Sequence, residues 1–178
     1  KTNFPVDGTI VFDYGTSKRG AEAVVTFRNG KAEKHRVAKL YRVPVLDKRL
    51  ITERTRAEAR LIAAARKNGV PTPVMSDITG DTIVMEKVEG TLLTRNLTEA
   101  NVFKAGQVIG KLHASGIMHG DLTTSNIILR ENDGNCVLID FGLAQVCSDL
   151  EQRGVDIHVF FQTLESTAPD HADELKAA

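Results

Sequence analysis

Two polar motifs at a fixed interval constrain this chain more than any other feature of its sequence. The first motif is the segment 119–126, in which four residues separate Asp121 from Asn126. The second is Asp140-Phe141-Gly142, which begins fourteen residues after Asn126. A lone Asp-Phe-Gly is more typical of a turn at the end of a strand. The two motifs in this order, with a hydrophobic strand before the second, are a much stronger signal.

The two motifs together indicate a site for phosphoryl transfer. This reaction needs an acceptor for the nucleophile's proton and oxygen ligands that hold Mg²⁺ against the phosphates of ATP. We expect Asp121 to be the base or orienting carboxylate, and Asn126 and Asp140 to be the magnesium ligands, because this spacing is the protein-kinase signature. His119 is interpreted as a structural residue packed behind the loop.

Such a site also needs a lysine on a strand and a glutamate on a helix that holds it. Glu58 is the glutamate candidate, because it shares one face of a predicted helix with four residues: Arg54, Leu61, Ile62 and Ala65. The alternative is that Thr55 and Glu58 form a capping box at the start of a shorter helix. For the lysine, the residues alone leave both Lys34 and Lys39 open.

The order of predicted elements favours an α+β fold with two lobes. Strands are expected at 9–12, 23–27, 36–38 and 83–86, with a turn at Asn29-Gly30, and a helix is expected over 46–68. A second helix buries Val102, Ala105, Ile109 and Leu112; strands follow at 127–129 and 137–139, and a helix at 156–164. We expect a single domain of protein-kinase-like fold: a strand-rich N-lobe (1–86) with one main helix, a hinge (87–90) and a reduced, mostly helical C-lobe (91–178).

Charge and cysteine content limit the partners that the chain can have. Lys plus Arg (23) equals Asp plus Glu (23), so no overall field attracts nucleic acid or an anionic membrane. Basic residues are nevertheless dense between Lys31 and Arg66, either as a solvated helix face or as a surface for a partner or RNA. The two cysteines lack metal-ligand spacing, and no apolar run suits a membrane span. We therefore expect an intracellular, reducing location, the cytoplasm or also the nucleus.

The chain resembles the small atypical kinase/ATPase subunit of the KEOPS (EKC) complex, the PRPK-type family, over nearly its whole length. The segments that carry the resemblance include 20–23, 34–44, 46–50, 69–74, 85–90, 112–113, 119–126, 138–143, 154–156 and 166–169. The resemblance implies that Lys34 is the strand lysine. It also implies that ATP is bound by Gly20, Ala21, Glu22, Glu86 and Val88 together with Lys34, although 17–23 contains only one glycine and by itself would be a surface turn.

The resemblance further implies Mg²⁺, a serine/threonine kinase that phosphorylates itself or hydrolyses ATP, and a role in forming threonylcarbamoyladenosine on tRNA. The implied partners are a threonylcarbamoyl-transferase subunit and a small subunit on the strand-rich lobe. The chain departs from ordinary protein kinases in two ways. Its loop has Gly120 where an arginine is usual, and only thirteen residues separate Gly142 from Asp156. This favours ATP hydrolysis or self-phosphorylation over a broad protein kinase.

Two other classes remain open at this point. Small-molecule kinases of the aminoglycoside and choline type also use His-Gly-Asp with a later Asn, but they usually carry a large helical insert for which this chain has no spare length. A nucleotide-binding pseudokinase scaffold is the non-enzymatic alternative. A pure scaffold has no physical need for Lys34, Glu58 and the metal-binding positions together.

Overall fold

Five antiparallel strands form one sheet in the order β1-β2-β3-β5-β4. The strands are β1 (Gly8–Phe12), β2 (Ala23–Arg28), β3 (Lys31–Arg36), β4 (Met75–Ile78) and β5 (Thr82–Glu86). This computed structural model describes residues 8–12, 23–39 and 41–178. The sheet belongs to the first of two structural units, which contains the described residues up to 60 and residues 73–87.

Strand β3 begins earlier than the sequence pattern indicates. Asn29 and Gly30 have φ values of 50° and 70°, as a two-residue hairpin turn requires, so pairing with β2 starts at once with Arg28 opposite Lys31. The prediction of a strand over 36–38 is therefore wrong, because β3 ends at Arg36. The buried face of β3 is Ala32, Lys34 and Arg36, and its two basic residues hide the usual apolar alternation.

The core of this sheet is formed by apolar side chains of β2 and β3. Val25, Phe27 and Ala32 are buried, and Met85 packs against them. The ammonium group of Lys87 lies 5.5 Å from the centre of the Phe27 ring. The alternating burial along β2 agrees with the period of two expected for a strand.

The first helix, α1 (Pro44–Lys67), confirms the helix predicted over 46–68. Pro44 suits a first helical position, and Gly69, with φ of 81°, follows the end. Thr55 lies in the middle of the helix, where its hydroxyl donates to the carbonyl of Ile51 at 2.8 Å. The capping-box interpretation of Thr55 is therefore wrong. Residues up to 60 of α1 belong to the first unit and the remainder to the second.

The second unit contains residues 61–72 and 88–178 and is mainly helical. Its helices are α2 (Glu99–Ala114), α3 (Leu150–Thr167) and α4 (Ala172–Ala177). Its strands are β6 (Gly90–Leu92), β7 (Ile117–Met118), β8 (Ile127–Arg130), β9 (Cys136–Leu138) and β10 (Gln145–Val146). They pair as β6-β8-β9 and as β10-β7. Helix α2 packs on β9, and α3 packs on α4.

Helices α2 and α3 differ in how well their bounds follow from the sequence. The predicted apolar face of α2 is confirmed, because Val102, Ala105, Ile109 and Leu112 are all buried. The helix predicted over 156–164 is too short at both ends, because α3 begins at Leu150 and ends at Thr167. Its start is fixed by Asp149, whose carboxylate accepts the N–H of Gln152 at 2.8 Å. Within the described part of the chain, no helix is long and apolar enough to cross a membrane.

Candidate active site

The β8–β9 hairpin brings the two predicted magnesium ligands to one end of the second unit's central sheet. The strands are antiparallel, with Ile127 opposite Leu138, so the residue before β8 and the residues after β9 are neighbours. The N–H of Ile139 donates to the carbonyl of Asn126 at 3.0 Å, which continues the ladder by one step. Asp140 follows directly, so an amide and a carboxylate flank this end of the hairpin.

Asn126 connects the metal-ligand pair to the predicted base. Its Nδ2 donates to the backbone carbonyl of Asp121 at 2.8 Å and to the carboxylate Oδ2 of Asp121 at 3.1 Å. These two bonds use the hydrogens of Nδ2, and the amide oxygen is the atom of this side chain that can bind a cation. Asn126 is buried, so its side chain is held by protein contacts rather than by solvent.

The backbone of Asp140 adopts a conformation that is rare outside glycine. Its φ is 60°, and among the described non-glycine residues only Asn29 also has a positive φ. The carboxylate Oδ1 of Asp140 accepts the N–H of Gly142 at 3.3 Å. Such a conformation costs on the order of 1–3 kcal/mol and persists where the surroundings enforce it, often at functional sites. The strain lies at a residue that the sequence predicts to hold a metal.

A buried carboxylate to which the sequence alone assigns no role anchors the loop. Asp156 on α3 accepts the N–H groups of His119 at 2.7 Å and of Gly120 at 2.9 Å, and its Oδ2 lies 2.9 Å from Nε2 of His113. Burial by itself would raise the pKa of Asp156, but the hydrogen bonds from His113, His119 and Gly120 lower this pKa below its ordinary value. Asp156 is therefore held ionised beneath the loop.

His119 has the structural role that was expected. Its side chain is fully buried, and its ring centre lies 5.2 Å from that of Phe141. Nδ1 accepts the N–H of Asp121 at 3.2 Å, and Nε2 lies 2.9 Å from the carbonyl of Ile139, to which it donates in the neutral tautomer. The imidazole therefore ties the Asp121 loop to the residues just before Asp140.

The glycine that replaces the usual arginine has a steric cause. Gly120 has a φ of 84°, and a Cβ placed on it would lie 2.2 Å from the carbonyl oxygen of Leu143. This backbone contact leaves no room for a side chain. The segment after Asp140 thus packs directly on the loop at the position where ordinary protein kinases carry an arginine.

The first unit contains the predicted lysine and glutamate in direct contact. Nζ of Lys34 lies 2.6 Å from Oε1 of Glu58, and NH2 of Arg36 lies 2.8 Å from Oε2 of Glu58. All three side chains are buried, which suits a carboxylate shared by two cations. Lys39, the rival lysine, is also buried, and its backbone N–H donates to Asp47 at 2.7 Å. The structure therefore pairs Glu58 with Lys34, as the resemblance implied.

The remaining predicted nucleotide contacts lie on two segments. Glu86 ends β5, where its Oε2 accepts the N–H of Val74 at 3.0 Å, and Val88 is buried two residues later. Gly20, Ala21 and Glu22 lie outside the described residues. The assignment of all five residues to the nucleotide stays a prediction.

The residues at the β8–β9 end fit Mg²⁺ with ATP rather than a metal held by the protein alone. An amide oxygen and a carboxylate are hard oxygen donors, and Mg²⁺ is usually bound by one or two carboxylates together with phosphates and water. Within the described residues, no group of three or more His, Cys, Asp or Glu side chains could form a closed metal site. Both cysteines are buried free thiols, and burial raises the pKa of Cys136 to about 11.

Comparisons with known sequences identify a family and several named relatives. A model of the RIO domain matches residues 16–155. A probable bifunctional tRNA threonylcarbamoyladenosine biosynthesis protein from Methanoculleus marisnigri is 60% identical over 164 residues, which cover 92% of this chain and 31% of that protein. A protein of the same name from Haloquadratum walsbyi is 45% identical, covering 91% of this chain and 30% of its own length. The chain spans about a third of these relatives, whose names confirm the resemblance inferred from sequence.

Solved structures show a protein-kinase-like fold. The Rio2 kinase of Chaetomium thermophilum, in a complex with ADP/Mg²⁺ and phosphoaspartate, matches with a TM-score of 0.67 and 17% identity, covering 94% of this chain and 61% of its own. An aminoglycoside-3'-phosphotransferase of type VIII matches with a TM-score of 0.64 and 16% identity, covering 98% and 84%. At these identities the likeness is one of fold, and it confirms the predicted α+β class.

Proposed function

Because this chain belongs to the RIO domain family, we propose that it is an ATP- and magnesium-dependent phosphotransferase whose ATP turnover supports threonylcarbamoyladenosine formation on tRNA. The observation that carries the catalytic part is the bonded pair of Asp121 and Asn126 beside Asp140 at one end of the β8–β9 hairpin. The names of the relatives carry the link to tRNA.

Asp121 has the role of orienting the nucleophile and accepting its proton. Asn126 fixes one carboxylate oxygen of Asp121, and the N–H of Asp121 is fixed by His119. Because the carboxylate is already held in place, little reorganisation is needed when a hydroxyl or a water molecule approaches. Positioning is the main contribution that a protein makes to phosphoryl transfer, since the transition state is loose.

Asn126 and Asp140 would hold Mg²⁺, which neutralises charge on the phosphate oxygens of ATP when it is bound. The strained backbone of Asp140 and the two hydrogen bonds of Asn126 keep these oxygen donors in place. Lys34 supplies a further positive charge toward the phosphates, and Glu58 holds its ammonium group. Gly20, Ala21, Glu22, Glu86 and Val88 complete the proposed nucleotide contacts.

ATP hydrolysis or self-phosphorylation on serine or threonine is the finer form of the proposal. Helix α3 already begins at Leu150, so only residues 143–149 lie between Asp140-Phe141-Gly142 and the helix. Two of them, Gln145 and Val146, form β10. This short connection favours water or the chain's own hydroxyls over a docked peptide. The proposed partners are a threonylcarbamoyl-transferase subunit and a small subunit on the strand-rich unit.

The experiment that tests this function is a phosphate-release assay with and without Mg²⁺. The chain is expected to hydrolyse ATP slowly by itself and faster with the threonylcarbamoyl-transferase subunit present. Asp140→Ala is expected to abolish turnover, because it removes the one carboxylate among the proposed ligands. Asp170→Ala, which changes an exposed aspartate of the same unit, is the matched control. Full turnover in Asp140→Ala would contradict the proposed role of Asp140. A melting temperature that ATP and Mg²⁺ leave unchanged would contradict the proposal and favour a scaffold.

A further inference from the structure

A cavity of about 490 Å³ lies within the strand-rich unit, at the start of α1. It is bounded by the end of β3, the first two turns of α1 and the β4–β5 turn. Its charged lining consists of Arg36, Lys39, Arg42 and Lys48 against Asp47 and Asp81, with His35 at the side. Four cations and two carboxylates leave a formal excess of two positive charges. None of the catalytic roles proposed above uses this cavity.

The two carboxylates of the cavity are already engaged by the protein. Asp47 is buried and accepts the N–H of Lys39 at 2.7 Å and a guanidinium N–H of Arg42 at 3.1 Å. Asp81 accepts the hydroxyl of Thr82 at 2.9 Å. The guanidinium of Arg42 offsets the charge of Asp47, whereas Asp81 keeps its charge, so the positive character of the lining comes from its excess of basic over acidic residues.

Arg36 provides a second and independent sign of an anion. Its side chain is about 95% buried, since 5% of it is exposed, and it lines the cavity. NH2 of Arg36 is bound to Glu58, but its Nε has no hydrogen-bond partner in the part of the chain that the structure describes. A buried guanidinium N–H without a partner is costly, and a phosphate oxygen would remove that cost once a small movement of Arg36 opened Nε to the cavity.

The positive charge continues from the cavity along the exposed side of α1. Four exposed basic residues lie on this side of the helix between positions 48 and 60: Lys48, Arg49, Arg56 and Arg60. The only exposed acid between these positions is Glu53, which pairs with Arg49 at 2.9 Å. At 1.5 Å per residue this stretch is about 18 Å long. A single phosphate would contact only one end of such a surface, whereas the successive phosphates of a nucleic-acid backbone could contact basic side chains along its whole length.

We propose that this cavity and the exposed basic side of α1 bind the phosphate backbone of an RNA, with one phosphate seated in the cavity. The charge match and the length of the surface favour RNA over a singly phosphorylated peptide, because repeated phosphates release counterions along the whole stretch. The choice of RNA over DNA rests on the proposed function in tRNA modification.

The test uses the full chain and a fluorescent, unmodified tRNA transcript, titrated by anisotropy between 50 and 200 mM salt without ATP. Lys48→Gln changes the cavity, Arg56→Gln changes the helix surface, and the double variant changes both. Lys111→Gln, an exposed lysine on α2, is the matched control. Each tested substitution should lower the salt slope of log K by about 1 and weaken binding, and the double variant should lose more than either single one. Lys111→Gln should match the wild type.

Two results would overturn the inference. One is an unchanged salt slope in Lys48→Gln and Arg56→Gln with melting temperatures equal to wild type. The other is displacement of the tRNA by a phosphoserine peptide at the same phosphate concentration. ATP turnover measured on the same samples separates this inference from the proposed function. If the wild type binds RNA but does not turn over ATP, the proposed function alone is contradicted. If the variants turn over ATP normally and their salt slope is unchanged, the RNA surface alone is contradicted.

Discussion

The side-chain amide of Asn126 donates to the carboxylate of Asp121, with Nδ2 and Oδ2 separated by 3.1 Å. The predicted metal ligand therefore also positions the predicted base. A substitution at Asn126 is therefore expected to affect both cation binding and the orientation of Asp121. Because the two residues are in contact, the free-energy effects of substituting each of them are not expected to add.

Replacement of Asp121 by alanine should lower ATP turnover by about 10²–10⁴-fold, the usual size of a base or orienting contribution. Asn126→Ala should lower turnover and also raise the Mg²⁺ concentration needed for half-maximal activity, because it removes a proposed ligand. Phosphate release measured across a Mg²⁺ titration separates the two variants. If Asp121→Ala retained full turnover, or needed more Mg²⁺ in the same way as Asn126→Ala, the roles assigned here would be wrong.

The lysine assignment can be decided by comparing Lys34→Ala with Lys39→Ala. Lys34 contacts Glu58, whereas the backbone of Lys39 is bound to Asp47. We expect Lys34→Ala to abolish turnover and Lys39→Ala to retain much of it. Both lysines are buried, so each variant needs a thermal melt to show that it is folded. The assignment fails if only Lys39→Ala is inactive.

Glu58→Gln tests the other half of the same pair. The amide keeps the size of Glu58 but removes the charge that two buried cations share. Breaking a buried ion pair by removing one partner typically costs about 3–5 kcal/mol. Chemical denaturation should show a loss of this order in the free energy of unfolding, together with reduced turnover. A variant as stable as the wild type would show that Lys34 and Arg36 are neutralised by other groups.

Helical periodicity allowed the sequence to predict one buried contact of the site. Glu58 stands out because an acid on a mainly apolar helix face needs a partner, and in the structure this partner is Lys34. Asp156 offered the same signal, an acid on the inner side of a helix, but the helix was predicted too short for its stripe to be seen. The N-cap signal of Asp149 three residues before Gln152 would have extended α3 and exposed that stripe.

The strands were less predictable because their positions depend on pairing rather than on local pattern. Strand β3 carries Lys34 and Arg36 on its buried side, so apolar alternation could not reveal it. Strands β7 and β10 are each two residues long and are defined by their pairing with each other. The contact of Asp156 with His119 and Gly120 spans more than thirty residues, and no local sequence pattern encodes it.

Gly120→Ala should destabilise the chain and reduce turnover, since alanine there would combine a left-handed backbone with a Cβ 2.2 Å from the Leu143 carbonyl. The backbone term alone is about 1–2 kcal/mol, and the clash adds to it. Gly110→Ala on α2 is the matched control: its Cβ would meet nothing within 4 Å, and helix propensity predicts a gain of about 1 kcal/mol. Equal unfolding free energies for both variants would show that the loop moves away from Leu143.

Asp156→Asn should make the stability of the protein less sensitive to acid. The pKa of Asp156 is lowered in the folded chain, so its ionised form contributes stability that is fully present above the ordinary aspartate pKa of about 3.9. This contribution is lost as the pH falls below that value through the lowered pKa. At neutral pH the variant should be less stable by about 1–3 kcal/mol, because the N–H groups of His119 and Gly120 lose a charged acceptor.

The difference in unfolding free energy between wild type and Asp156→Asn should therefore shrink as the pH falls from 5 toward 2.5. Denaturation curves at several pH values measure it, with Asp170→Asn as an exposed aspartate control that should follow the wild type. Because Asp156 supports the backbone that carries Asp121, turnover at neutral pH should fall while the Mg²⁺ requirement stays constant. A gap that stays constant with pH would mean that the ionised form of Asp156 is not what stabilises the loop.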